Sequence, residues 1–173
     1  TLVLKSDGTV WTTGYNGYGQ LGTGTTQSET EFKQVTGIPE KVIEITAGGH
    51  SSYALTESGK VYGWGYNYYG QLGINNNADQ TTPVRMQKVS NIIQISAGDS
   101  YITMLDANGS VWNVGYNGNG QFGVNNYTTY YLPQQMKTED GNGILQNIKK
   151  ASAGATHTIV LSDDGTAYAT GYN

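Results

Sequence analysis

Two histidines, thirteen carboxylates and fourteen tyrosines are the side chains of this 173-residue sequence best equipped for chemistry. His50 and His157 stand in different registers of the repeat described below, and Ser51 and Tyr101 take the place of His157 in the other units. A turn histidine bonded to backbone accounts for each better than a general base does. The chain has no Gly-x-Ser-x-Gly elbow, His-Glu-x-x-His pair or phosphate-cradling Gly-x-x-x-x-Gly-Lys. Asp163-Asp164 fits a turn, where side-chain-to-backbone bonding suffices. Asn75–Asp79 and Glu139–Asn142 lack the alternate-residue spacing of a Ca²⁺ loop. The expectation is a protein that is not an enzyme and uses no catalytic residue, cofactor or metal.

What remains is contact chemistry. Tyr18, Tyr68, Tyr69 and Asn119 occupy variable positions inside a constant frame, and Tyr127, Tyr130 and Tyr131 lie in the loop after the third such frame. Tyrosine offers a large contact area at low conformational-entropy cost, and Asn, Ser and Gly add adaptable hydrogen bonding, as in antibody paratopes. These seven residues are the candidate partner-binding positions.

The elements that must position them come from an internal repeat. Gly8–Gly22 returns as Gly59–Gly73, as Gly109–Gly123 and, shortened, as Gly165–Asn173; the leading glycines are 51, 50 and 56 residues apart. Ala47-Gly48, Ala97-Gly98 and Ala153-Gly154 keep step, each alanine 12 residues before the next leading glycine. In the middle unit, strands are expected over Pro83–Val89, Asn91–Ala97, Tyr101–Leu105 and Ser110–Val114, from their β-branched and apolar content. Asp106-Ala-Asn-Gly109 and its equivalents are suited to tight hairpin turns. Four short strands per unit, with no helical period between them, predict an all-β chain of β-propeller blades, each of four antiparallel strands. Residues 1–157 make three full repeats and 158–173 one further hairpin, a partial array. Such an array is expected to belong to a larger ring, completed by the rest of the protein or by other copies.

Matching repeat positions predict a core of Val10, Val61, Val111, Leu55, Leu105, Leu161, Ile45, Ile95, Leu21, Leu72 and Phe122. The recurrent Asn16, Asn67 and Asn117, with Gln20, Gln71 and Gln121, are expected to be scaffold parts whose amides satisfy backbone groups in turns. Tyr15, Tyr66, Tyr116 and Tyr172 recur likewise and are read as packing residues.

Composition narrows the function classes. A formal net charge of −4 and a single arginine, Arg85, argue against nucleic acid as partner. No apolar run reaches the roughly 20 residues of a membrane-spanning helix, so no membrane insertion is expected. There is no cysteine for a disulfide framework or a thiolate metal site.

The pattern is most complete at Ala47–Gly73, where Val61-Tyr-Gly-Trp-Gly-Tyr-Asn67 runs into Gly70-Gln-Leu-Gly73. It resembles the regulator-of-chromosome-condensation repeat, and the resemblance covers essentially the whole chain. The resemblance implies a seven-bladed propeller. The low-charge, Tyr/Asn/Gly-rich composition is similar to bacterial members of that family, many of them secreted or displayed at the cell surface. It therefore implies a non-enzymatic scaffold, extracellular or at the cell surface, with an unidentified protein partner. Two alternatives accompany it. The first is guanine-nucleotide exchange on a small GTPase, for which the chain has no long wedge, only a short extra segment near Thr138–Gly143. The second is carbohydrate binding, against which Trp11, Trp64 and Trp112 fall within expected strands rather than loops.

Overall fold

Strand pairing starts at the turns. Gly8, Gly59, Gly109 and Gly165 take φ of +85°, +75°, +76° and +92°. This left-handed conformation lets the chain reverse within a few residues. Each of these glycines closes its turn by donating its N–H to the carbonyl three residues earlier, at 2.9–3.1 Å. The computed structural model describes residues 1–173 and contains strands but no helix.

The first sheet holds β1 (Leu2–Leu4), β2 (Val10–Gly14) and β3 (Glu29–Gln34). The second holds β4 (Val42–Ala47), β5 (Ser51–Thr56), β6 (Val61–Gly65) and β7 (Gln80–Arg85) in chain order. The third repeats it with β8 (Ile92–Ala97), β9 (Tyr101–Asp106), β10 (Val111–Gly115) and β11 (Tyr130–Gln135). The fourth holds β12 (Ile148–Ala153), β13 (His157–Ser162) and β14 (Ala167–Gly171). All pairings are antiparallel. Three repeats and a hairpin are thus distributed as two four-stranded sheets flanked by two of three strands.

Three of the four strands expected in the middle unit lie within one residue of their expected bounds, and one is displaced. The strand expected over Pro83–Val89 runs instead from Gln80 to Arg85, and Lys88 and Asn91 turn left-handed at φ +59° and +54°. Met86 and Val89 are nevertheless buried, so their apolar character reports the core and not a strand. Pro83 is tolerated because β7 is the outer edge of its sheet, where a missing N–H breaks no ladder.

The sheets stack like pages. Tyr53, Leu55 and Val61 of the second sheet, with Leu72 of the loop after β6, meet Ile92, Ile95, Ile102 and Met104 of the third in one apolar cluster. Of the expected core, Ile45 and Leu161 are only half-buried. Ile95 packs toward a four-stranded sheet, whereas Ile45 packs toward the first sheet, which has three strands. Leu161 lies outside the cluster that Leu105 and Val160 form between the third and fourth sheets.

Strands β4, β8 and β12 lie side by side along the inner edge. An edge strand presents unpaired N–H groups, and here the preceding blade supplies acceptors. Ile95 N–H reaches Glu44 Oε2 and Ala97 N–H reaches Thr46 Oγ1, both at 3.1 Å. One blade on, Ala151 N–H reaches Gln94 Oε1 at 3.1 Å and Ala153 N–H reaches Ser96 Oγ at 3.0 Å. Burial pushes the Glu44 carboxyl above its ordinary pKa, against the opposing effect of the Ile95 N–H.

Candidate functional site

Gly65 pairs with Ser51 and with Gln80, so the β4–β5 turn and the β6–β7 loop emerge at the same end of the sheet. The equivalent segments of the other sheets follow the same rule, and every Gly-Tyr-Asn sequence arrives there.

Asparagine and glutamine build the platform at this end. The buried Asn67 accepts the Leu72 N–H at 2.9 Å and donates to the Asn76 and Ala78 carbonyls at 3.0 Å. Asn16 holds Leu21, Thr25 and Gln27 in the same way, each at 2.9 Å. Asn117 accepts from Phe122 and donates to the Asn126 carbonyl, also at 2.9 Å. Gln20, Gln71 and Gln121 each accept the N–H two residues earlier, from Tyr18, Tyr69 and Asn119, at 3.0–3.1 Å. The constant amides therefore fix the backbone of the variable positions, as a scaffold role requires.

Glycine sets how closely the blades approach. At Gly65, φ is +94° and a Cβ would lie 2.5 Å from the His50 carbonyl oxygen and 3.0 Å from Gln20 Cα. Gly115 repeats this with Ser100 and Gln71. The preceding blade's loop is thereby drawn against the next blade's strand end. Trp64 Nε1 and Ser52 Oγ then both donate to the Gln20 carbonyl, at 3.0 and 2.8 Å.

This close approach joins rings from three blades into one aromatic strip. Tyr15 meets Tyr18 and His50 at ring-centroid separations of 6.4 and 6.1 Å. Tyr18 lies 4.9 Å from His50 and 5.0 Å from Tyr66. Tyr66 continues to Tyr68 and Tyr69, at 6.3 and 6.4 Å, and Tyr69 lies 5.0 Å from Tyr116 of the third sheet. Most contacts are edge-on or tilted, the arrangements that aromatic quadrupoles favour. Tyr15 and Tyr68 are 61% and 58% exposed, while Tyr18, Tyr66, Tyr69 and Tyr116 are half-buried, so the strip has rigid roots and open faces. Desolvation raises the Tyr66 phenol pKa, with further contributions from Tyr69, Tyr18, Asp79 and Tyr68.

Of the seven residues singled out in the sequence, Tyr18, Tyr68 and Tyr69 are brought together in this strip. Asn119 stands at the equivalent place one blade on, beside a recess of about 370 Å³ that Tyr127 also lines. Tyr127 is 73% exposed. Tyr130 is used by the scaffold: its ring stacks on Phe122 at 6.2 Å and its hydroxyl meets the Asn126 amide at 3.0 Å. Tyr131 lies over Gly70 of the preceding blade, the residue after Tyr69, and covers that glycine. Residues read as packing groups, Tyr15, Tyr66 and Tyr116, belong to the strip, and so does His50. Antiparallel pairing sends the Ala-Gly turn and the Gly-Tyr-Asn end to one edge, which the repeat spacing implies, but the ring contacts between blades are not contained in that spacing. The three tryptophans stay in strands β2, β6 and β10.

Comparison with known proteins agrees with this architecture. The regulator of chromosome condensation (RCC1) repeat model matches residues 7–55, 58–105 and 108–161, and a second model of that repeat matches 42–71. The probable E3 ubiquitin-protein ligase HERC3 of Homo sapiens is 40% identical over 97 residues, 51% of this chain and 9% of that protein. The X-linked retinitis pigmentosa GTPase regulator of Homo sapiens is 38% identical over 85 residues, 48% of this chain and 8% of that protein. The matched part of the chain thus spans less than a tenth of these curated relatives. Among solved structures, human WBSCR16 superposes with a TM-score of 0.86 at 23% identity, over 99% of this chain and 44% of that one. Prp20p from Saccharomyces cerevisiae, a protein with binding properties to Gsp1p and histones, gives 0.82 at 26% identity, over 99% and 42%.

Proposed function

The chain belongs to the RCC1 repeat family, and from that premise we propose that it is a non-enzymatic, protein-binding part of a propeller whose tyrosine-rich end holds the partner. The observation that carries this reading is the continuous strip from Tyr15 to Tyr116, rooted in a hydrogen-bonded frame and open on its outer face. Rigid, clustered aromatic side chains are where binding energy concentrates in protein interfaces. The binding of Gsp1p and histones by Prp20p supports a protein as the class of partner.

Two wider expectations form part of the proposal. Solved propellers match this chain over less than half of their own length, which supports a larger ring containing these blades. An extracellular or cell-surface place rests on the resemblance to bacterial members of the family alone, a resemblance suggested by low charge, no cysteine and many Tyr, Asn and Gly. Fractionation of the native cells tests the location.

Guanine-nucleotide exchange is the second reading, supported by the GTPase regulator among the relatives. Carbohydrate binding is the third, and the placement of all three tryptophans in strands weighs against it. A photo-crosslinking residue at position 68 tests the leading reading. It should form adducts with a protein partner, and the same residue at position 57, on the opposite end, should not. Adducts from position 57 alone would contradict it.

A further inference from the structure

The charges of this molecule are sorted by end. The loops at the tyrosine end, residues 15–28, 48–50, 66–79, 98–100, 116–129 and 154–156, contain none of the nine lysines and arginines. Leaving His50 aside, their charged residues are Asp79 and Asp99, both exposed. Lys5, Lys41, Lys60, Lys88 and Lys137 lie in loops at the other end, mixed with carboxylates. Asp79 is held beside the strip by its bond to the Asn67 N–H at 2.8 Å, and Asp99 is pinned next to the His50 turn, its carbonyl accepting the Gly49 N–H at 3.1 Å. The tyrosine end therefore combines electron-rich ring faces with the held Asp79 carboxylate, a second exposed carboxylate on the anchored Asp99 backbone, and no competing Lys or Arg side chain.

We infer that the partner presents lysine or arginine side chains to this strip, from an extended segment lying across the blades. The inference deepens the protein-binding reading and rests on it. A cation over a tyrosine face is attracted by the ring quadrupole, arginine more often than lysine. A nearby carboxylate adds Coulomb attraction, and a surface without Lys or Arg side chains imposes no repulsion from them. The spacing also fits. Neighbouring rings of the strip lie 4.9–6.4 Å apart, and alternate residues of an extended chain are separated by about 6.6 Å on the same side. Cations at alternate positions would thus meet successive rings. A neutral apolar segment would gain ring contact but would leave the Asp79 and Asp99 carboxylates near an interface without a counter-charge.

The test uses a fluorescein-labelled decapeptide of alternating lysine and serine, its acetyl-lysine counterpart and its glutamate counterpart, measured by anisotropy against the whole chain. The lysine peptide should bind and the other two should not. Tyr18→Leu with Tyr68→Leu, which keeps apolar bulk and removes the rings, should weaken binding about tenfold. Asp79→Asn with Asp99→Asn should weaken it and flatten its salt dependence. Glu57→Gln with Asp163→Asn, at the opposite end, should leave it unchanged, and thermal melts establish that each variant is folded. Equal binding of the acetylated peptide, or indifference to the leucine variant, would overturn the inference. If the lysine peptide fails to bind while tyrosine variants still release a protein partner, cation recognition falls and the protein-binding reading stands. If the peptide binds through the rings but partner capture ignores them, the protein-binding reading falls instead.

Discussion

Tyr18 and Tyr66 come from neighbouring blades, yet their ring centroids lie 5.0 Å apart and nearly edge to face. The first stands on the loop after β2 and the second directly follows Gly65, whose missing Cβ permits the close approach of the preceding blade's Gln20. A packing requirement of the propeller thereby produces a surface feature. Wherever the repeat delivers tyrosines to this junction, rings from separate blades become continuous.

The amide frame should be the first thing to fail on mutation. Asn67→Ala removes the acceptor of the buried Leu72 N–H and the donor to two carbonyls. Leaving the buried Leu72 N–H unpaired costs about 1–3 kcal/mol, while the Asn76 and Ala78 carbonyls belong to exposed residues that water can reach, so a total loss of about 1–3 kcal/mol is expected from urea unfolding. A change within 0.5 kcal/mol, ordinary for surface sites as an order of magnitude, would remove Asn67 from the frame.

Core register is tested by contrast. Leu72 is fully buried between the second and third sheets, whereas Ile45 is half-buried toward the first. Leu72→Ala should cost about 2–5 kcal/mol, and Ile45→Ala distinctly less. Equal losses in thermal or chemical melts would show that the two sites are covered alike.

Two carboxyl groups should respond oppositely to pH. The folded pKa of Glu44 is raised by burial, so the stability linked to its protonation is present below the ordinary value of 4.5 and is lost as pH rises through the raised one. Glu44→Gln keeps an acceptor for the Ile95 N–H and should become progressively more stable than the unaltered protein as pH rises through that range. Asp164 is held low by the Ser162 hydroxyl and the Thr166 N–H, so its contribution is present above the ordinary value and is lost as pH falls through the lowered one. Asp164→Asn should therefore flatten the acid limb of a stability–pH curve, and an unchanged limb would contradict the assignment.

The tyrosine pair separates surface from scaffold. Tyr68 is exposed and Tyr69 half-buried against Tyr116. Tyr68→Ala with Tyr69→Ala should leave the melting temperature nearly unchanged, with the small loss arising from Tyr69. A large fall would place both among the scaffold residues.

Much of this was legible in the residues. The leading glycines and the Ala-Gly markers fixed the repeat, and glycine's freedom at positive φ explains why those positions recur. The amide frame was readable because Asn and Gln recur at a place where turns need side-chain partners. Three things were not. The half-burial of Ile45 depends on which sheet faces it, and Tyr130 reads like a free loop tyrosine until its ring is seen on Phe122. His50 and Tyr66 appear as repeat punctuation, because membership of the strip depends on the distance between blades, which a linear spacing does not contain.

The central claim, that the tyrosine end holds a protein partner, is tested most directly by quantitative capture from the native source. Three baits are compared: the unaltered chain, the Tyr18→Ala with Tyr68→Ala variant, and the Glu57→Gln with Asp163→Asn variant at the opposite end. The account predicts that a protein retained by the first and third is lost from the second, by about tenfold or more per hot-spot residue removed. Full retention by the tyrosine variant, with loss from the opposite-end variant, would contradict it.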